Sequence, residues 1–107
     1  MRVPWVLLFF ASVCEIIFAV AMKQSQGLTK LIPSIITLVG AAGGIILLSL
    51  ALKTLPLGIG YPIWTGVGMV GTVVLGLLIF GEPIGALKVS GVVLILIGII
   101  LLHQADS

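Results

Sequence analysis

Two runs of the chain, Leu31 to Leu52 and Thr54 to Gly81, contain no charged side chain. Each is at least as long as the roughly 20 apolar residues that carry a helix across a bilayer. In water these runs would have to be hidden, and the rest of a 107-residue chain cannot hide them. Only 7% of its residues are Asp, Glu, Lys or Arg and 61% are hydrophobic, whereas a soluble domain is about a quarter charged. The chain therefore reads as an integral membrane protein, with room for at most about four or five spans and no separate soluble domain. No period-two alternation runs through it, which excludes a β-barrel and leaves an all-α membrane fold.

The remaining charges mark where the spans end. Arg2, Lys23, Lys30, Lys53, Lys88 and Asp106 flank apolar stretches, Glu82 lies close to Lys88, and only Glu15 falls inside a stretch. The last stretch reaches spanning length if it begins near Gly85, with Lys88 snorkelling from its first turn. The pattern predicts a single transmembrane domain over residues 1–107, with helices at about 3–22, 31–52, 57–80 and 85–103. Its connections are short and rich in helix breakers, so neighbouring helices should pack as antiparallel hairpins. Pro33 falls in a first turn, where a missing N–H costs little. Pro62, beside Gly58 and Gly60, predicts a kink or a locally unwound backbone in the third helix. Met1-Arg2, an apolar run and Ala19-Val20-Ala21 together resemble a signal peptide, but a carboxylate at position 15 argues against cleavage.

Orientation is weakly specified. If both ends are cytoplasmic, that side carries Arg2 and Lys53 while the other carries Lys23, Lys30 and Lys88, against the usual bias. Such a chain can insert both ways up, or pair with an oppositely biased partner. The net charge of +2 is too small and dispersed to suggest nucleic acid, and no basic run in the sequence marks anionic-lipid recognition.

The constellations of soluble enzymes are missing: there is one His, one Cys, and no metalloprotease, phosphate-loop or nucleophile-elbow motif. No enzyme, cofactor or metal site is expected. Cys14 reads as a buried small hydrophobe and His103 as an interfacial residue. Glu15 is different. It stands roughly 18 Å along a helix starting near Val3, past the middle of a hydrocarbon core of roughly 30 Å. An acidic group at that depth costs about 3 kcal/mol on insertion scales and by default marks function. Desolvation favours the neutral acid, so a proton held there can be exchanged for a cation. Ala11, Ser12, Phe18 and Ala19 share its helical stripe, supplying room, a hydroxyl and an aromatic face. Tyr61 and Trp64, three apart on the third helix, add a second aromatic pair. A carboxylate among aromatic faces suits an organic cation better than a hydrated metal ion.

Small residues provide packing surface. Gly40 and Gly44 form a GxxxG pair, Gly66, Gly68 and Gly71 crowd the third helix, and Gly91 and Gly98 repeat at seven on the fourth. The last pair points to oligomerisation.

With these features in place, the chain resembles the small multidrug resistance family of four-helix transporters over nearly its full length. The carriers are the Glu15 helix with Lys23, the connection from Ser25 to Ser34, the stretch Leu55 to Gly68, and Gly81-Glu82-Pro83. The resemblance implies a multi-pass inner-membrane, proton-coupled antiporter that exports small organic cations. It further implies an antiparallel dimer in which Glu15 of both protomers forms one shared proton and substrate site, lined by Tyr61, Trp64, Ser12 and Phe18. It assigns bending of the third helix to Gly66 and Gly68 and dimer contact to Gly91 and Gly98. Thr65-Gly66-Val67-Gly68 and Gly81-Glu82-Pro83 look like the guanidinium-exporter branch, whereas Ser12, Phe18, Gly44 and Pro62 depart from it. Guanidinium-type, quaternary ammonium and polyamine cations stay open as substrates. So do homodimeric and heterodimeric pairing, including a non-transporting partner subunit of an exporter or of a lipid-carrier flippase. A channel without proton exchange is a further alternative.

Overall fold

The computed structural model describes residues 2–105, so the end charge at Asp106 lies outside the described residues. It consists of α1 (Arg2–Gln24), α2 (Leu31–Ala51), α3 (Leu57–Phe80) and α4 (Ala86–Ala105), with no strand among the described residues. All four helices are long and apolar enough to cross a membrane, which makes the chain an all-α membrane protein. The first helix runs as far as Gln24 and the fourth begins at Ala86 and continues to Ala105, slightly beyond the spans that hydropathy alone marks out. The short connections place residues 24–31 and 80–86 at one end of the bundle, and the α2–α3 turn at the other.

The helices form a flat slab, 42 × 34 × 17 Å along its principal axes. α2 lies against α1 through its glycines. A Cβ built on Gly40 would come within 3.0 Å of the Phe18 Cβ, and one on Gly44 within 3.3 Å of the Cys14 Cβ. Their missing side chains let two backbones approach, which is how helices gain dispersion contact in a solvent as apolar as themselves. α1 meets α3 on its other side around Leu8, Ala11, Ile63 and Trp64, which with Leu48, Ala51 and Leu55 form the buried cluster. α4 has no buried residue and rests on α3, where Ile95 and Ile99 fill the space left by Gly66. At one end it also reaches α1, through the rings of His103 and Trp5, whose centroids are 4.4 Å apart.

Pro62 does not unwind α3: the helix is continuous from Leu57 to Phe80. The reason is position. Pro62 is the sixth residue, so its missing N–H deprives only Gly58, in the opening turn, of an intrahelical donor. The expectation of locally unwound backbone is corrected accordingly.

The turn between α1 and α2 is organised by one buried serine. Ser25 donates its hydroxyl to the Met22 carbonyl at 2.6 Å and accepts the Leu28 N–H at 3.0 Å. Its carbonyl accepts the N–H groups of Thr29 and Lys30, at 3.0 and 3.1 Å. These bonds hold Gln26, Gly27 and Leu28 in the left-handed region, at φ of 51, 77 and 65°. Only glycine adopts that region freely. Ser25→Ala removes both side-chain bonds and leaves the Leu28 N–H without its acceptor. It should therefore cost about 1–2 kcal/mol of stability, read as a lowered unfolding midpoint of the detergent-solubilised protein.

Candidate functional site

Glu15 is carried to the seam between α1 and α3, and its carboxyl sits where a side chain at position 68 would otherwise be. A Cβ on Gly68 would overlap both carboxyl oxygens. The next contact along the seam repeats the device: Ile16 fills the space left by Gly71. The Oε1 atom of Glu15 is shut off from solvent and has no hydrogen-bond partner. A buried polar atom without a partner is uncommon in folded proteins, because it gives up its bonds to water for nothing. One that is also a carboxyl oxygen inside a membrane span is an acceptor waiting for a donor.

Trp64 is the tie that fixes this seam. Its indole N–H donates to the Ala11 carbonyl at 3.0 Å, one helical turn before Glu15, and its side chain is 8% exposed. Tyr61 stands edge-on to it, with ring centroids 5.3 Å apart and planes at 68°, and remains about half exposed. Ser12, one turn before Glu15, is buried and donates its hydroxyl back to the Leu8 carbonyl at 2.9 Å. Its oxygen keeps acceptor capacity. Glu15, Ser12, Trp64 and Tyr61 are thus brought onto neighbouring parts of the α1–α3 seam.

The other expected residues fall elsewhere. The Phe18 Cβ lies against Gly40, on the α1–α2 seam. Gly44 approaches Glu15 only at its backbone amide, 3.9 Å from a built Cβ. Gly66 makes room for Ile99 of α4 and Gly68 makes room for Glu15, so each has a packing role in this conformation beside any role in bending. Gly91 and Gly98 face open space, with nothing within 4 Å of a built Cβ.

Two features escape inspection of the sequence. An apolar cavity of about 380 Å³ is lined by Ser12, Ile63 and Val67 together with Trp5, Ile99 and His103. At the opposite end of the same seam, Lys23 lies 3.8 Å from Glu82 and over the ring of Phe80, 5.4 Å from its centroid. Partners this far apart in the chain carry no local signal. Among the described residues, no group of three His, Cys, Asp or Glu side chains comes together to hold a metal.

The family described as "Small Multidrug Resistance protein" matches residues 3–95. The chain belongs to this family. It is a multi-pass protein of the inner membrane, as its four spans and its relatives agree. Among those relatives is a "Guanidinium exporter" of Yersinia pseudotuberculosis, 45% identical over 95% of this chain and 98% of the relative. Another, from Proteus vulgaris, is 43% identical over the same shares, and one from Salmonella typhimurium is 42% identical over 90% of this chain and 91% of the relative.

Because the atoms that a Cβ at position 68 would strike belong to the end of a flexible side chain, Gly68→Ala should fold and displace the carboxyl. Helical content by circular dichroism should stay at the level of the parent, and the Glu15 side-chain carboxyl resonance in a ¹³C spectrum should move. Gly58→Ala, at a glycine with nothing within 4 Å, should leave that resonance in place.

Proposed function

We propose that this small multidrug resistance protein is a proton-coupled antiporter that exports small organic cations, guanidinium-type cations foremost, with Glu15 as the group that takes either a proton or the substrate. The observation that carries this reading is the enclosed Oε1 of Glu15 with no donor supplied by the protein. A proton satisfies that oxygen. So does the N–H of a cation, and the two cannot do so together, which couples their movements in opposite directions.

The surrounding residues favour a planar cation. A guanidinium matches a carboxylate with two parallel N–H bonds and stacks on aromatic faces, whereas a metal ion would need several more oxygens. In this reading Tyr61 and Trp64 offer their faces to the bound cation, and Ser12 offers its hydroxyl oxygen. Trp64 spends its N–H on Ala11, so it acts by its ring and by holding α1 and α3 at a fixed distance. The names of the relatives support the choice of guanidinium.

A slab only 17 Å thick along its shortest axis cannot surround a polar path by itself. A second, inverted copy supplies the missing wall, and inverted repeats are the usual architecture for alternating access. The weak charge bias of the chain permits both orientations. The open faces of Gly91 and Gly98 on α4 offer the contact, and Gly66 and Gly68 give α3 the freedom to bend when the site changes sides.

Glu15→Gln keeps the shape of the side chain and removes the exchangeable charge. In proteoliposomes its guanidinium-driven proton movement should fall to the level of empty vesicles while cross-linking still captures the dimer. Proton-driven guanidinium uptake that survives this substitution is incompatible with the mechanism. Tyr61→Leu, at a half-exposed ring, should raise the KM for guanidinium about two- to fivefold, the amount expected from losing one exposed cation–π contact.

A further inference from the structure

The hairpin topology gathers three of the lysines at one end of the bundle: Lys23 at the end of α1, Lys30 just before α2 and Lys88 in the first turn of α4. They are separate in sequence, and the fourth lysine, Lys53, lies at the other end in the α2–α3 turn. Among the described residues only Glu82 opposes them, leaving two positive charges unbalanced at this face. The Lys23–Glu82 pair is itself loose, at 3.8 Å with both side chains about half exposed. An exposed pair of that kind contributes little and opens readily.

These lysines line two adjoining hollows. One, of about 620 Å³, is bounded by Lys23, Gln24, Gln26, Lys30, Pro33 and Phe80. The other, of about 380 Å³, shares Lys23 and Phe80 with it and adds Glu82 and Lys88. Lys88 points its ammonium at the Pro83 carbonyl, 2.7 Å away, which keeps the charge at the rim. Ammonium groups and glutamine amides together donate many hydrogen bonds and suit a phosphate oxygen cluster. The hollows lie at helix ends, the depth at which headgroups sit in a bilayer.

A second observation separates lipid phosphate from phosphate in solution. Leu28 holds φ of 65°, a conformation costly for a branched apolar residue, and still presents a side chain that is 54% exposed. Leu31 and Ile32, directly after Lys30, are 74% and 70% exposed. The basic hollow is therefore bordered by an apolar surface that nothing in the protomer covers.

We propose that Lys23, Lys30 and Lys88, with Gln24 and Gln26, form a binding site for the phosphate of an anionic phospholipid whose acyl chains lie along Leu28, Leu31 and Ile32. The site is independent of Glu15 and of transport. Its occupant offsets one of the two surplus charges at this face and fastens the α1–α2 turn to the membrane surface.

The test is lipid retention by the full chain, released from nanodiscs of equal phosphatidylglycerol and phosphatidylcholine and weighed by native mass spectrometry. The parent protein should keep phosphatidylglycerol about thirtyfold better than phosphatidylcholine, the scale expected from two unbalanced positive charges acting on one headgroup. Lys23→Gln with Lys30→Gln should remove most of that preference, Lys23→Arg with Lys30→Arg should restore it, and Lys53→Gln should leave it unchanged. Equal retention of both lipids by the parent overturns the proposal. So does an equal loss in Lys53→Gln, which would reveal a diffuse charge effect. In a final arm, millimolar inorganic phosphate should not displace the bound lipid. If phosphate alone occupies the site and phosphatidylglycerol does not, the site belongs to a soluble anion and the lipid assignment is wrong.

Discussion

The organisation of the protomer depends on one constraint, the accommodation of a carboxyl group inside an apolar helix pair. A bilayer offers that group no water, so the protein has to provide either a partner or a space. It provides space. Gly68 yields the volume, Trp64 bridges to the α1 backbone one turn away, and Oε1 is left without a donor. A complete hydrogen-bond set would have made Glu15 a structural residue. The missing partner is what supports the exchange role proposed for it.

Glycine placement carries the same logic through the bundle. On α2 the glycines admit the α1 backbone at Cys14 and Phe18, and on α3 they admit Glu15, Ile16 and the isoleucines of α4. In water, tight packing follows from expulsion of solvent. In lipid that term vanishes between helices, so shape decides which faces meet. α4 illustrates the consequence, since it has no buried residue and its own glycines face outward. Within one chain α4 is thus the least engaged helix, which supports the dimer contact proposed for Gly91 and Gly98.

Much of this was legible beforehand. The charge-free runs gave the number of spans, because a membrane helix is defined by length and apolarity along the sequence alone. The depth of Glu15 and its separation from every other charge singled it out, and the motifs around Tyr61, Trp64 and Gly68 pointed to the family. What could not be read was which neighbour each stripe would face. Phe18 and Glu15, three residues apart on α1, pack toward α2 and α3 respectively. Pro62 likewise suggested a kink or a locally unwound backbone, whereas α3 runs through it unbroken because only the Gly58 carbonyl loses its bond.

By itself, the sequence determined that this protein lives in a bilayer, crosses it with four helices and keeps one acid where the membrane resists it most. Those conclusions follow from hydropathy and position, which are properties of single segments. Only the tertiary structure decided that Glu15 would rest against Gly68 with an unpaired oxygen. It alone also decided that Lys23, set by the hairpin order on the same side as Lys30 and Lys88, would line one hollow with Lys30 and a second with Lys88. Both outcomes depend on how separate segments are brought together, and no single segment contains that information.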